Sequence, residues 1–311
     1  MCDSWEMDRA RAGWFFDNGE GTSEDDWGCR WLHTDKKNMG QVVHHPLESW
    51  DRLQSFKPPD AKDPYYFERL PAVMAEARDR YVVVTCHFTL MERLHMLHGF
   101  SQTLQDFYEE PRKIEQLLDM ILQFKVEQLR ELSRRFGDRI NGIFLTDDWG
   151  SQQNAFISVE MFRHFFQRRY TRLFSAIHGY GWDVILHSCG RINTLVPSLV
   201  EAGVDVLNMQ QPQTNGLVEF GKAWAGKVAF LTTTDIQKTL PTLDPDAVRA
   251  EARELVRHWS TSSGGLIVFN YGAGDSIGVN AEMTEVMFKA FVELKDYWST
   301  ENQTKRSHSS P

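Results

Sequence analysis

From Tyr81 onward the chain alternates between short apolar runs and longer segments with helical periodicity. Tyr81-Val82-Val83-Val84-Thr85-Cys86 reads as a buried strand. Pro111 then opens an amphipathic helix that carries Ile114, Leu117, Leu118, Ile121 and Phe124 on one face and ends near Gly137. A strand is predicted over 140–145, and Ser158 is a good N-cap for a helix through Phe162, Phe165, Phe166 and Tyr170 to about His178. The alternation continues with a strand over 182–187, a helix near 193–202, a strand over 204–208 and a helix near 217–224. A strand over 228–231 follows. Asp244-Pro245 supplies the cap and first position of a helix over 245–260. A strand over 266–269 and a helix from about Asn280 complete the pattern. Strands and helices alternating through short connections predict a parallel sheet covered by helices.

Six repeats are visible, whereas a (β/α)8 barrel needs eight. No G-x-G-x-x-G string follows a first strand, which makes a dinucleotide-binding fold the weaker choice. The expected architecture is a TIM barrel whose first strand or two are disguised in residues 1–79 or missing. That segment is irregular and rich in Trp, Pro, Gly and Asp. Residues 1–299 are read as one domain, with the regular repeats over 80–299 and a polar, aperiodic, disordered tail over 300–311.

Composition narrows the function classes. The net charge of −9 argues against a nucleic-acid surface, which rewards clustered Lys and Arg. No apolar run approaches the roughly 18 residues of a membrane span, and Met1-Cys2-Asp3-Ser4-Trp5 lacks the pattern of a secretory leader. Four scattered cysteines do not make a disulfide framework, and a reducing cytoplasm is the expected compartment.

The chemistry of a barrel of this kind sits at the C-terminal ends of its strands. Those ends read Cys86-His87, Asp147-Asp148-Trp149, His187-Ser188-Cys189, Asn208-Met209-Gln210-Gln211, Asp235 and Asn270-Tyr271. They hold acids, thiols and imidazoles, with no Lys or Arg at the tips. His187 and Cys189, two residues apart in a tight turn, are the first-choice ligands of a soft metal such as zinc. A third ligand is sought among Asp147, Asp148, Cys86 and His87. Three protein ligands would leave a coordination position open, as in a catalytic site. Asp147 and Asp148 are also candidate acid and base groups, with loop capping as the competing role. Asn208, Gln210, Gln211, Asp235 and Tyr271 are candidate substrate contacts, and loop-backbone partners are the alternative for the amides. Gly272-Ala273-Gly274-Asp275 is a weak anion cradle. His44-His45 and His95/His98 read as loop or helix-face histidines. The Asp25-Asp26-Trp27-Gly28 string repeats Asp147-Asp148-Trp149-Gly150, a repetition judged coincidental.

Asp147-Asp148-Trp149-Gly150-Ser151-Gln152, Ile157-Ser158, His187-Ser188-Cys189-Gly190, Gly203-Val204-Asp205-Val206-Leu207-Asn208 and Gln211-Pro212 resemble the uroporphyrinogen decarboxylase superfamily. Asp26-Trp27-Gly28-Cys29 and His45-Pro46-Leu47 resemble its N-terminal half, so that the likeness spans about 25–295. The resemblance implies a (β/α)8 barrel and one of two chemistries. One is cofactor-free decarboxylation of a porphyrinogen. The other is zinc-dependent methyl transfer between a corrinoid and a thiol or similar acceptor.

The H-x-C-G turn resembles the methyltransferase branch, whose zinc is held by that His and Cys and a later Cys. This chain departs from it, because no Cys follows Cys189 and the corresponding region reads Phe269-Asn270-Tyr271-Gly272. The decarboxylase branch's arginine–glutamine–alanine–glycine–arginine string is also absent; the chain is expected to begin after that region. The leading expectation is a zinc methyltransferase with a corrinoid as substrate or on a partner protein. The runner-up is a tetrapyrrole carboxy-lyase, in which Asp147 or Asp148 would hold pyrrole N–H groups. A non-catalytic corrinoid or tetrapyrrole binder is the third.

Overall fold

A computed structural model describes residues 3–6, 21–33, 40–272 and 274–299. The predicted tail over 300–311 lies outside the described residues, as does Ala273 of the glycine-rich segment. The chain divides into two compact units. One is formed by residues 1–149, 157–187 and 195–204, the other by 150–156, 188–194 and 205–311.

The first unit opens with β1 (Asp3–Glu6), which resolves where the disguised strand lies. It is followed by β2 (Gly21–Glu24), β3 (Arg30–His33) and β4 (Gln41–His44), a three-stranded antiparallel sheet that the sequence pattern does not announce. Next come α1 (Leu70–Ala77), β5 (Val82–Cys86), α2 (Met91–His98), α3 (Phe100–Glu109) and α4 (Pro111–Phe136). The unit continues with β6 (Gly142–Thr146), α5 (Val159–Phe162), α6 (Arg168–His178), β7 (Asp183–His187) and α7 (Val196–Ala202). Strands β1, β5, β6 and β7 pair in parallel in that order.

All five residues of β5 and all five of β6 are buried. Covering both faces of a parallel sheet requires that continuous apolar run. Ser158 caps α5 as expected, its hydroxyl accepting from the Met161 N–H at 3.2 Å. Between α5 and α6 the residues Arg163–Gln167 form a π turn. Phe162, Phe166 and Tyr170 are buried around Trp149, and Phe165 is buried against Phe107.

The second unit carries β8 (Val206–Met209), α8 (Leu217–Trp224), β9 (Ala229–Thr232), α9 (Pro245–Trp259), β10 (Leu266–Val268) and α10 (Ala281–Glu293). Its strands pair in parallel in the order β8, β9, β10. The Asp244 side chain caps α9 by accepting from the Asp246 N–H, and Asn280 caps α10 by accepting from Met283. Buried Trp259 packs on Phe230 of β9 and Phe220 of α8, with ring centroids 4.6 and 5.4 Å apart. No described helix is long and apolar enough to cross a membrane.

Candidate metal centre

The site is built from the ends of β6 and β7. Thr146 pairs with His187 at the last register position, and the Asp147 N–H extends the ladder by donating to the His187 carbonyl at 3.0 Å. Successive residues beyond a strand point to opposite sides, so that Asp147 and its neighbour Asp148 meet different surroundings.

Asp147 is fully buried. Its Oδ2 accepts from the N–H groups of Leu90 (2.9 Å) and Met91 (3.0 Å), and its Oδ1 accepts from that of Glu92 (2.7 Å). The Tyr170 hydroxyl donates a short hydrogen bond to Oδ2. Asp147 therefore caps α2 from another element, supplying what Leu90, the chain's own residue at that end, does not. Burial pushes its carboxyl up to about 6 against the pull of Tyr170 and the three amides. The sequence assigned Asp147 a catalytic role, or failing that the cap of its own following loop. Its acceptor capacity is instead filled by the fold at a remote helix.

Asp148 is half-buried. Its Oδ1 lies 3.6 Å from His187 Nε2, with side-chain exposures of 39% and 13%. Asp148, His187 and Cys189 each offer one ligand atom, and those atoms all lie within 4.8 Å of one another. Among the described residues no other three His, Cys, Asp or Glu side chains come so close. The set holds one nitrogen, one sulfur and one carboxylate oxygen, a donor mixture that zinc accepts. Tetrahedral zinc with bonds of about 2.0–2.3 Å needs ligand atoms roughly 3.3–3.8 Å apart, and the Asp148–His187 spacing already meets that. The residues present fit the metal. Of the four third-ligand candidates, Asp148 is the one brought to His187 and Cys189. Cys86 and His87 are buried, and the His87 carbonyl accepts from buried Lys125 Nζ at 2.5 Å.

The turn that presents Cys189 is held by its backbone. Gly190 has φ +80°, and a Cβ there would fall 2.0 Å from the Gly150 carbonyl oxygen, so no side chain fits. The Gly190 N–H donates to Gln211 Oε1 at 3.2 Å, and its carbonyl accepts from Asn215 Nδ2 at 3.0 Å. Gln211 Oε1 also accepts from Gln152 at 3.0 Å.

The polar strand ends read as substrate contacts are engaged in the same way. Asn208 Nδ2 donates to the Leu231 carbonyl at 2.8 Å, and its Oδ1 accepts from Gln210 at 3.0 Å. Asp235 is fully buried and accepts from the N–H groups of Gln213, Gln237 and Lys238. Tyr271 is half-buried beyond β10. The histidine readings resolve individually. His98 bonds the Leu47 carbonyl and Asp106 at 2.6 and 2.7 Å, and His45 bonds the Met96 carbonyl at 2.7 Å. Asp25 of the repeated string takes the Arg93 guanidinium at 2.8 Å and the Trp31 indole at 3.2 Å.

Sequence reasoning missed α2 and with it Glu92, and it read His95 only as a loop or helix-face histidine. Seven of the eight α2 residues are buried, including Glu92 and Arg93, so no polar stripe marks the helix. Glu92 Oε2 accepts from the Thr146 hydroxyl at 2.7 Å. Burial first, then the charges of Asp148 and Asp147, raise its carboxyl well above the ordinary range. Burial pushes the His95 imidazole down to about 4, against the opposing pull of Asp148, and keeps it neutral at neutral pH.

Comparison with known proteins agrees with this architecture. No curated protein matches the chain by sequence. Among solved structures, a methyltransferase from Methanosarcina mazei superposes with a TM-score of 0.68 at 17% identity, over 86% of this chain and 76% of that one. Dispersin B gives a TM-score of 0.38 at 11% identity over 90% and 88% of the two chains, a likeness too slight to use. The first shows the fold, a (β/α)8 barrel, of which the described residues supply four parallel strands in one unit and three in the other. The family model for uroporphyrinogen decarboxylase (URO-D) matches residues 28–294, nearly the whole described chain. The chain belongs to the uroporphyrinogen decarboxylase family.

Proposed function

We propose that this chain is a zinc-dependent methyltransferase of that family, moving a methyl group between a corrinoid and a thiol or similar acceptor. The observation that carries the reading is the approach of Asp148, His187 and Cys189 within 4.8 Å. Asp148 stands in for the later cysteine that the chain lacks. One carboxylate replaces one thiolate, so the ligand set keeps two negative charges and one neutral imidazole, which balances a divalent ion. Bound there, zinc would lower the pKa of an acceptor thiol so that it carries a nucleophilic thiolate near neutral pH.

The chain's own residues do the rest. The β6–β7 ladder fixes Asp148 against His187, and the Gly190 turn fixes Cys189. Structural likeness to the Methanosarcina mazei methyltransferase supports the choice of branch. The corrinoid is read as a substrate, free or carried on a partner protein. Cys29, Cys86 and Cys189 are not joined in disulfides, which suits a reducing compartment such as the cytoplasm.

The tetrapyrrole lyase reading loses one of its two candidate acids, because the Asp147 lone pairs are taken by α2 and Tyr170. Metal analysis of the purified chain tests the proposal. Near-stoichiometric zinc in the parent, lost in Cys189→Ala and in Asp148→Ala, is expected, together with thiol-dependent demethylation of methylcobalamin. A parent chain without zinc that turns over uroporphyrinogen would sink it and install the lyase.

A further inference from the structure

The two side chains that grip the Cys189 turn, Gln211 and Asn215, both come from the loop between β8 and α8. The backbone fixes how each of them is oriented, because a peptide N–H can only donate and a peptide carbonyl can only accept. The Gly190 N–H therefore faces the oxygen of the Gln211 amide, at 3.2 Å, and the Gly190 carbonyl faces the nitrogen of Asn215, at 3.0 Å. The Asn215 oxygen is left for the Ile192 N–H, at 3.1 Å. Gln211 and Asn215 are 5% and 3% exposed, so that losing either leaves a buried peptide group without a partner.

The Gln211 oxygen is held from a second side. Gln152 Nε2 donates to it at 3.0 Å, and the Gln152 oxygen accepts from the Thr214 hydroxyl at 3.2 Å, which returns the bonds to the same loop. Gln211 thus accepts twice at Oε1, and its Nε2 donates to no described residue. Gly190 directly follows Cys189, so the peptide unit that Gln211 grips is the one that joins the two. With that peptide pinned, the Cys189 thiol has only the staggered positions of its χ1 to choose from. The one it occupies puts Sγ within 4.8 Å of the His187 and Asp148 ligand atoms.

We propose that Gln211 is a positioning residue for the metal. Its side-chain oxygen, locked by Gln152, holds the Cys189–Gly190 peptide where the thiolate can bind together with His187 and Asp148. This rests on the metal reading above. Groups that orient a metal ligand typically account for about 10–100-fold in metal affinity, and Gln211 is expected in that range. A side chain that merely stabilised the loop would change unfolding and leave the metal–sulfur bond of the folded chain as it is.

The test uses the full chain loaded with cobalt(II) in place of zinc, because a cysteine thiolate on cobalt gives a near-ultraviolet charge-transfer band that reports the metal–sulfur bond. Zinc affinity is measured alongside by competition with a chelator. Gln211→Leu removes the oxygen and is expected to lose or shift the band and to bind zinc at least about tenfold more weakly. Gln211→Glu keeps an oxygen for Gly190 and Gln152, and should restore the band and bring the affinity within about threefold of the parent. A Gln211→Leu chain with the parent's band and affinity overturns the inference, whatever its stability. So does a Gln211→Glu chain that behaves like Gln211→Leu, since the oxygen would then not be what matters. Should Gln211→Leu not fold, Gln152→Ala decides, because Gln152 is exposed and its loss removes one of the two bonds on that oxygen. A shifted band with zinc about threefold weaker then supports the role, and parent values for both overturn it. A parent chain that takes up no zinc and shows no thiolate band fails earlier and separately, and removes the metal reading along with the inference.

Discussion

Each unit of this protein buries a pair of acids beside a strand end, and the two pairs differ in one respect. Beyond β9, Asp235 accepts three backbone N–H groups. Its companion Glu251 uses both oxygens, accepting from Gln213 at 3.0 Å and from the Asp235 N–H at 3.0 Å. Beyond β6, Asp147 accepts three N–H groups and a phenol, but its companion Glu92 uses one oxygen and leaves the other open. Burial raises both glutamates. The closed pair is a clip that fastens a loop. The half-open pair is a clip with a spare acceptor, placed next to the half-buried Asp148. An acid at a strand end is thus no sign of chemistry in itself; what matters is whether the fold has already used its lone pairs.

The most severe way to break this contrast is at the turn rather than at the acids. Gly190→Ala combines a positive φ with a Cβ 2.0 Å from a carbonyl, and it is expected to abolish zinc binding and cost at least about 3 kcal/mol in denaturant unfolding. Wild-type stability and zinc content in that variant would show the turn to be soft.

Asp147→Ala should cost about 3 kcal/mol, because it strands three amides of a buried helix end, and Asp235→Ala about 1–2 kcal/mol, because the three residues whose amides it holds are exposed and water can replace it in part. A loss below about 1 kcal/mol in urea unfolding would deny either its clip role.

Asp148→Ala sharpens the comparison from the other side. Its expected effect on the stability of the metal-free chain is under about 1 kcal/mol, while zinc affinity falls on the order of 100-fold in a competition titration. Were the two effects exchanged, Asp148 would be the scaffold and not the ligand.

Tyr170→Phe removes one buried hydrogen bond to Asp147 and should cost about 1–2 kcal/mol.

The smallest effect is on pH dependence. The Asp147 carboxyl lies near 6 in the fold against an ordinary value of 3.8, so the folded chain holds its proton more tightly than the unfolded one. Its contribution favours the fold below about pH 4 and is lost as pH rises towards 6. The stability profile of Asp147→Asn should be flatter than the parent's across that window. A parallel profile would show that another group governs it.

The regular half of the chain was legible because its periodicities are strong. The 114/117/118/121/124 stripe gave α4 to within a residue, and the Ser158 and Asp244 caps fixed two helix starts. The first eighty residues were not, since four-residue strands are too short to leave a repeat to read. Within the site, His187 and Cys189 announce themselves by spacing, and the missing later cysteine marks the place where this chain differs. Asp147 and Asp148 are the same residue type, one after the other. No property of the sequence separates the helix cap from the half-buried acid beside His187.

The sequence by itself therefore determined β5, the order of strands and helices from α4 onward, the caps at Ser158 and Asp244, and the pair of soft ligands in one turn, because these depend on contacts within a few residues. Only the tertiary structure decided which aspartate stands by His187, that α2 exists as a buried helix, and that Glu92 keeps a free oxygen. Those outcomes depend on donors 50 or more residues away, such as the Glu92 N–H on Asp147 and the Thr146 hydroxyl on Glu92. A lone pair is free or taken according to what the fold brings to it, and no local pattern records that.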